Sequence, residues 1–333
     1  MMRAVVLKQG IEEKIQVCDI PKPNPKPGEV LVKIKASALN HRDEWSRKGL
    51  YPNLKDGIVL GSDGAGIVEA VDSESDSKWI GKEVIINPAI NWGTSQLAQG
   101  KDFEILGMPR NGTLAEYVAV PADRLHEKPS HLTWEEAAAL PLAGLTAYRA
   151  VVYQGQIEAG QKVLVTGIGG GVAQFAAQFA LVHGAEVSVS SSDPEKIEKA
   201  KALGASHGFN YTDSTWTDQA KELTDGFDLI IDGAAGDTLN QLIQVCKPGG
   251  RIVFYGATRG NPGKLEARRI FWNQLKIMGS TMGSDADFLH MLNLVSSKKI
   301  KPVVDQVFAL EDAVKAFDRM KAGKQLGKIV LTP

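Results

Sequence analysis

Between Val163 and Ala180 the chain reads VLVTGIGGGVAQFAAQFA: a short β-branched run, a cluster of glycines and a helix-forming stretch, with nothing between them. Few folds accommodate that order. Val163, Leu164 and Val165 predict a short buried strand, Gly167, Gly169, Gly170 and Gly171 a sharp turn, and Val172 onward a helix. Glycines at such a turn let the backbone approach a pyrophosphate, whose charge then rests on unpaired N–H groups at the positive end of the helix. The spacing is G-x-x-G-x-x-A over Gly167, Gly170 and Ala173, because position 172 is Val. A flexible glycine loop would explain the composition but not the strand before it and the helix after it.

The turn also sits inside a rhythm. Apolar runs begin near Val163, Val187, His207, Asp228, Ile252 and Lys276, with helix-compatible stretches between them. A repeat of roughly 20 to 24 residues is what successive βα units produce, since each parallel strand needs a crossover before its neighbour. Six parallel strands are predicted. Upstream the texture differs: Val30, Val32 and Ile34 alternate with Lys33 and Lys35, prolines stand at 21, 23, 25 and 27, and short runs separated by Gly, Pro, Asn and Ser continue to Leu125. Short strands and long loops follow from that pattern. Thr133 and Glu136 form a capping box ahead of Ala137–Leu140. After about Ser284 the rhythm stops, leaving helical patterns at Phe288–Val295 and Glu311–Lys321 and a closing strand at Lys328–Leu331. Residues 1–140 together with 285–333 are therefore expected to form one β-rich domain, and residues 141–284 a nucleotide-binding domain inserted in it.

Composition narrows the function. Among 333 residues, 38 Lys plus Arg balance 39 Asp plus Glu, a formal charge of −1 that counts against bulk electrostatic binding of nucleic acid or anionic lipid. Only Cys18 and Cys246 are present, so one chain can build neither a disulfide framework nor a cage of three or four thiolates. No run approaches a membrane span, and Lys8, Glu12, Glu13, Lys14 and Asp19 interrupt the region where a signal peptide needs apolar residues. A cytoplasmic protein without membrane partners is expected.

At the end of the second βα strand, NAD-binding sites usually offer a carboxylate to the ribose 2′-OH. Here Glu186–Val189 runs into Ser190, Ser191 and Ser192, and Lys196 follows in the next helix. Hydroxyls and an ammonium suit a 2′-phosphate, which favours NADP(H). Asp193 stands close by, so NAD(H) stays open; Ser192 or Asp193 also fits as an N-cap before Pro194.

Taken with KPGEVLVKIKASALNHRD (26–43), LGSDGAGIVEAV (60–71), FEILGMPRNGTLAEYV (103–118), LPLAGLTAYRAV (140–151), KPGGRIVFYGA (247–257) and GKIVL (327–331), the chain resembles the medium-chain dehydrogenase/reductase superfamily over nearly its whole length. The resemblance implies an α/β fold in which a Rossmann doubly wound parallel sheet is inserted in a β-rich GroES-like catalytic domain. It further implies a nicotinamide in the cleft between the domains, and a homodimer joined through the Rossmann sheet edges. Where zinc-using members carry a Cys, a His with an acidic partner, and a second Cys, this chain has Asn40, Ser62 with Asp63, and a position near Leu142. Asn, Ser and Leu do not bind Zn²⁺ as thiolate and imidazole do. No cysteine lies between Asn87 and Gly107, where those members hold a structural zinc. The pattern resembles the zinc-free, quinone oxidoreductase-like branch, with NHRDEWSRKGLYP (40–52) close to the quinone reductase segment.

The resulting expectation is an NADPH-dependent, zinc-independent reductase of a quinone or α,β-unsaturated carbonyl. Without a Lewis acid, catalysis depends on orientation and on hydrogen bonds to the oxygen that gains charge. Candidate donors are Asn40, His41, Arg47 and Tyr51, with Trp45 as an aromatic wall and His41 also a candidate proton source. Asp43 is expected to anchor this loop through backbone N–H groups. Cofactor contacts are expected from Gly167, Gly169, Gly170, Gly171 and Val172 at the turn, and from Ser191 and Lys196. Resemblance adds Thr146, Tyr211, Gly256, Ala257 and Lys328, and Gly233 follows the fourth strand, where the Rossmann crevice opens. Cys246 reads as a buried packing residue. Two alternatives stay open: a cofactor-binding redox sensor or single-stranded RNA binder with little turnover, and a zinc-type alcohol dehydrogenase.

Overall fold

A computed structural model describes residues 1–333. The chain divides into two compact units, Met1–Ala143 with Ser284–Pro333, and Gly144–Gly283.

The first unit is built on a mixed sheet. Strand β1 (Glu29–Ala38) lies at its centre, antiparallel to β2 (Asp63–Val71) on one side and to the closing strand Lys328–Thr332 on the other. Tyr117–Pro121 also pairs with β1, Glu83–Ile86 and Leu125–Glu127 extend the sheet beyond β2, and Val304–Ala309 runs parallel to the closing strand. The alternation of Val30, Val32 and Ile34 with lysines places those three in a core with Val68, Val84, Ile86 and Val118. A second core gathers Leu7, Ile15, Leu39, Leu60 and Leu114 against Phe317 and Met320 of the helix Ala313–Lys321.

Residues 40–47 are the main departure from the sequence expectation of a loop: His41–Arg47 is a helix, α1. It is too short for hydrophobic periodicity to announce it, and its entry is fixed by a polar device, the Asn40 N–H donating to Asp43 Oδ2 at 2.8 Å. Between Asn87 and Gly107 the segment is closed by side chains: Trp92 is buried, stands edge-on to Phe103 with ring centroids 5.3 Å apart, and donates its indole N–H to the Ser95 carbonyl.

The second unit is a six-stranded, wholly parallel sheet. Strands β3 (Lys162–Val165), β4 (Glu186–Ser191), β5 (His207–Asn210), β6 (Phe227–Asp232), β7 (Cys246–Phe254) and β8 (Lys276–Gly279) are ordered β5-β4-β3-β6-β7-β8. The order reverses between β3 and β6, which makes the carboxyl ends of those strands a topological switch point. Helix α2 (Gly171–Val182) follows β3, and α3 (Pro194–Ala202) follows β4. Buried Leu164, Phe209, Phe227, Ile230, Leu242 and Ile252 form the core on one face.

Candidate active site

The glycine turn sits at the switch point of the second unit. Gly167 has φ +61°, a left-handed conformation that a side chain would strain, and its carbonyl accepts the Gly170 N–H at 2.9 Å. Gly170 is the N-cap of α2 and offers no side chain to its first-turn N–H groups, which leaves them for an anion. The turn is pinned to its neighbours: Ile168 N–H donates to the Ser190 carbonyl on β4, and Thr166 N–H to the Ile231 carbonyl on β6. At the end of β6, Asp232 accepts Thr166 Oγ1–H at 2.5 Å and the N–H groups of Ala234 and Ala235, fixing the loop that carries Gly233. A Cβ at Gly233 would meet the Tyr255 ring at under 3 Å, so the aromatic ring lies directly on that backbone. Burial, with Asp232 nearby, pushes the Tyr255 phenol well above its usual range, keeping it a neutral O–H.

At the end of β4, Asp193 is the N-cap of α3, with Pro194 at its first position and its carboxylate accepting the Glu195 N–H. Ser191 is buried and accepts the Asp193 N–H. Tyr211 donates to Ser192 Oγ at 3.1 Å, and the Arg259 guanidinium lies over the Tyr211 ring, 4.9 Å from its centroid. Arg259 escaped the sequence reading because it lies past the strand pattern, two residues after Ala257. Its only sequence signal is a basic residue following a βα glycine.

In the first unit, sheet register gathers a second polar group. Val330 pairs with Ala38, and Ala38 with Asp63. Continuing the first pairing by two residues sets Lys328 opposite Asn40, and side chains two apart share a face, so Asn40, Asp63 and Lys328 converge. Lys328 Nζ lies 2.5 Å from Asn40 Oδ1 and 2.8 Å from Asp63 Oδ2; Asn40 Nδ2 donates to the same Asp63 oxygen at 2.9 Å. The other Asp63 oxygen accepts the Leu142 N–H at 2.7 Å. Asn40, Asp63 and Lys328 are 7%, 0% and 4% exposed. Beside them Ser62 donates to the Leu106 carbonyl and accepts from Arg42 Nη1 at 2.6 Å, and Arg42 also donates to the carbonyls of Leu106 and Met108.

The remaining sequence candidates separate. His41 stands next to Asn40 at the start of α1 and is solvent-accessible; the surrounding protein, with the charges of Lys328 and Lys48, holds its pKa below that of an ordinary imidazole. Asp43 anchors the region as expected, accepting the N–H groups of Asn40 and Gly61. Tyr51 accepts from Arg42 Nε at 3.2 Å and packs on the core around Phe317. Arg47 does not join Asn40. Its guanidinium donates to the Glu13 carbonyl, the Glu13 carboxylate and Asp318 at 2.7 Å, and lies over Phe317, so it ties α1 to the helix Ala313–Lys321. Thr146 is buried, its hydroxyl 3.9 Å from Met282 Sδ. Lys328, assigned to the cofactor by resemblance, donates two of its three ammonium hydrogens to Asn40 and Asp63. Cys246 is buried and its thiol is pushed up to about 12, which makes it inert. No group of three or more His, Cys, Asp or Glu side chains is arranged to hold a metal ion.

Residues 26–130 match the family model for the alcohol dehydrogenase GroES-like domain, and residues 171–297 that for the zinc-binding dehydrogenase. A zinc-type alcohol dehydrogenase-like protein, YogA, of Leptosphaeria maculans is 36% identical over 95% of this chain and 94% of its own. An acryloyl-coenzyme A reductase of Sulfurisphaera tokodaii is 29% identical with both chains fully covered. Among solved structures, an NAD-dependent alcohol dehydrogenase superposes with a TM-score of 0.94 at 40% identity, covering 100% of each chain.

Proposed function

Because the chain belongs to the medium-chain dehydrogenase/reductase superfamily, we propose that it is an NADPH-dependent, zinc-independent oxidoreductase that reduces a quinone or a carbonyl-conjugated alkene. The observation that carries this reading is the state of the positions where zinc-using members bind metal. Asn40 and Asp63 are already bonded to the Lys328 ammonium, and Ser62 to the Arg42 guanidinium. A divalent cation among them would face two fixed positive charges and a donor set of amide, hydroxyl and one paired carboxylate, which does not fit zinc. Without metal polarisation an unactivated carbonyl is a poor hydride acceptor, whereas a conjugated one spreads the incoming charge onto its oxygen. The acryloyl-coenzyme A reductase among the relatives acts, by its name, on such an alkene; the alcohol dehydrogenase names of the others favour a second reading that the donor set opposes.

The residues present fit a nicotinamide dinucleotide. The turn Gly167–Val172 would take the pyrophosphate on the N–H groups of α2, the backbone at Gly233, Gly256 and Ala257 would border the crevice, and Thr146 would lie toward the nicotinamide. Ser191, Ser192, Lys196 and Tyr211 would receive the 2′-phosphate, with the Asp193 carboxylate diverted to capping α3. The bound cofactor supplies the hydride. Asn40 offers an N–H to the acceptor oxygen, and His41, neutral at pH 7, can relay a proton without adding charge. The edge strand β8 and the exposed Phe271 and Trp272 just before it, 67% and 78% exposed, support a homodimer joined along that edge.

Oxidation of NADPH and of NADH, followed spectroscopically against quinones, enones, enoyl thioesters and simple aldehydes with the metal content measured alongside, tests the reading. Turnover of conjugated acceptors by metal-free protein is expected. Stoichiometric zinc with aldehyde turnover would reverse it.

A further inference from the structure

The buried Asn40 carboxamide has only one chemically consistent orientation. An ammonium can only donate, so the atom 2.5 Å from Lys328 Nζ must be Oδ1, and Nδ2 must be the atom facing Asp63. Nδ2 carries two hydrogens. One goes to Asp63 Oδ2; the other has no partner, on a side chain that is 7% exposed. Asp63 accepts from Lys328 and Asn40 at one oxygen and from the Leu142 N–H at the other. The donors left unspent in the cluster are the second N–H of Asn40 and one N–H of Lys328. Stability alone does not account for it, because a buried ion pair is seldom better than apolar side chains of the same volume.

We infer that Lys328 and Asp63 are positioning residues that hold the Asn40 carboxamide with its unspent Nδ2–H directed to the carbonyl oxygen of the acceptor. This rests on the reductase reading above. Lys328 draws electron density from Oδ1 and strengthens the opposite N–H as a donor, while Asp63 neutralises the ammonium and takes the other N–H. In the reaction the hydride adds to the β-carbon, the alkene electron pair shifts toward the carbonyl, and negative charge collects on its oxygen. Asn40 stabilises that oxygen without surrendering its proton, and a proton from solvent then reaches the α-carbon. Fixed donors aimed at developing charge need no reorganisation when the charge appears.

The test uses the full chain with NADPH and two probes, methyl vinyl ketone and 1,4-naphthoquinone. The double variant Asp63→Asn with Lys328→Met removes both charges together, so no unpaired ion stays buried, and Met cannot donate to Oδ1. The expected result is a fall in the single-turnover hydride-transfer rate of about tenfold to a hundredfold, as a displaced catalytic group causes. NADPH affinity should be unchanged, and Lys328→Arg should retain most of the rate. If the double variant does not fold, Asn40→Leu, which keeps approximate volume and removes the donor while leaving Lys328 paired with Asp63, is expected to lose about a hundredfold. Wild-type rates in a folded double variant, or in Asn40→Leu, overturn the inference and leave the reductase reading standing. A loss confined to NADPH affinity also overturns it, returning Lys328 to the cofactor. A wild-type protein that binds NADPH and reduces neither probe overturns both.

Discussion

Asp63 and Lys328 are 265 residues apart in the chain and 2.8 Å apart in the sheet, where each is almost wholly buried. Neither can be changed alone without stranding the other. Lys328→Met is expected to cost about 3 to 5 kcal/mol of stability, as unpaired buried charges do, and adding Asp63→Asn to recover most of it. Urea denaturation of the wild type, the two single variants and the double variant measures these numbers; additive losses would mean that the two residues do not act as a pair.

Arg47 should behave in the opposite way. Two of its carboxylate partners, Glu13 and Asp318, are half exposed, which limits those ion pairs, while Glu44 at 3.7 Å is buried, so Arg47→Ala should cost about 1 to 3 kcal/mol. Hydride transfer should stay within about twofold of wild type, and a larger kinetic defect would return Arg47 to the acceptor site.

At the nucleotide turn, Gly167→Val forces a β-branched residue to φ +61°. A penalty of about 1 to 2 kcal/mol per residue for that conformation corresponds to roughly tenfold weaker dinucleotide binding if the strain must be met for the turn to receive the pyrophosphate. Fluorescence titration with NADPH reads it directly.

His126 is expected to make the fold acid-sensitive. Burial and the Arg124 charge push its pKa down from 6.5 to about 4, against weaker opposing effects of Asp285 and Asp123, and its ring lies 4.7 Å from that of Phe288. The unfolded chain takes up a proton below pH 6.5 that the folded chain refuses until about 4, so stability is full above 6.5 and falls through that window. The loss is at most about 3 kcal/mol. His126→Gln should flatten stability against pH between those limits, seen as a smaller change in melting temperature.

Trp272→Glu sets a charge beside the open edge of β8. Sedimentation velocity should report a dimer for the wild type and a monomer for the variant; an unchanged sedimentation coefficient would move the interface elsewhere.

The βα rhythm made the second unit legible because each strand declares itself locally: apolar runs predicted near Val163, Val187, His207, Asp228, Ile252 and Lys276 all fall within its six parallel strands. The N-cap of α3 was narrowed to Ser192 or Asp193 for the same reason. What the sequence could not convey was pairing across distance. Asn40 was singled out by its residue type, but its orientation depends on a strand 288 residues later. Arg47 carried the right chemistry for a donor, and only the three-dimensional placement of Glu13 and Asp318 reveals that its guanidinium is engaged elsewhere. Arg42, one position from two named candidates, was passed over because burial of an arginine against backbone carbonyls leaves no trace in local pattern.

The segment from Asn87 to Gly107 holds its shape through the buried Trp92 and its contact with Phe103. An indole edge cannot be stripped by EDTA or bridged by diamide, so this lobe should keep its form through metal starvation and thiol oxidation alike, conditions under which a cysteine-ligated counterpart would come apart.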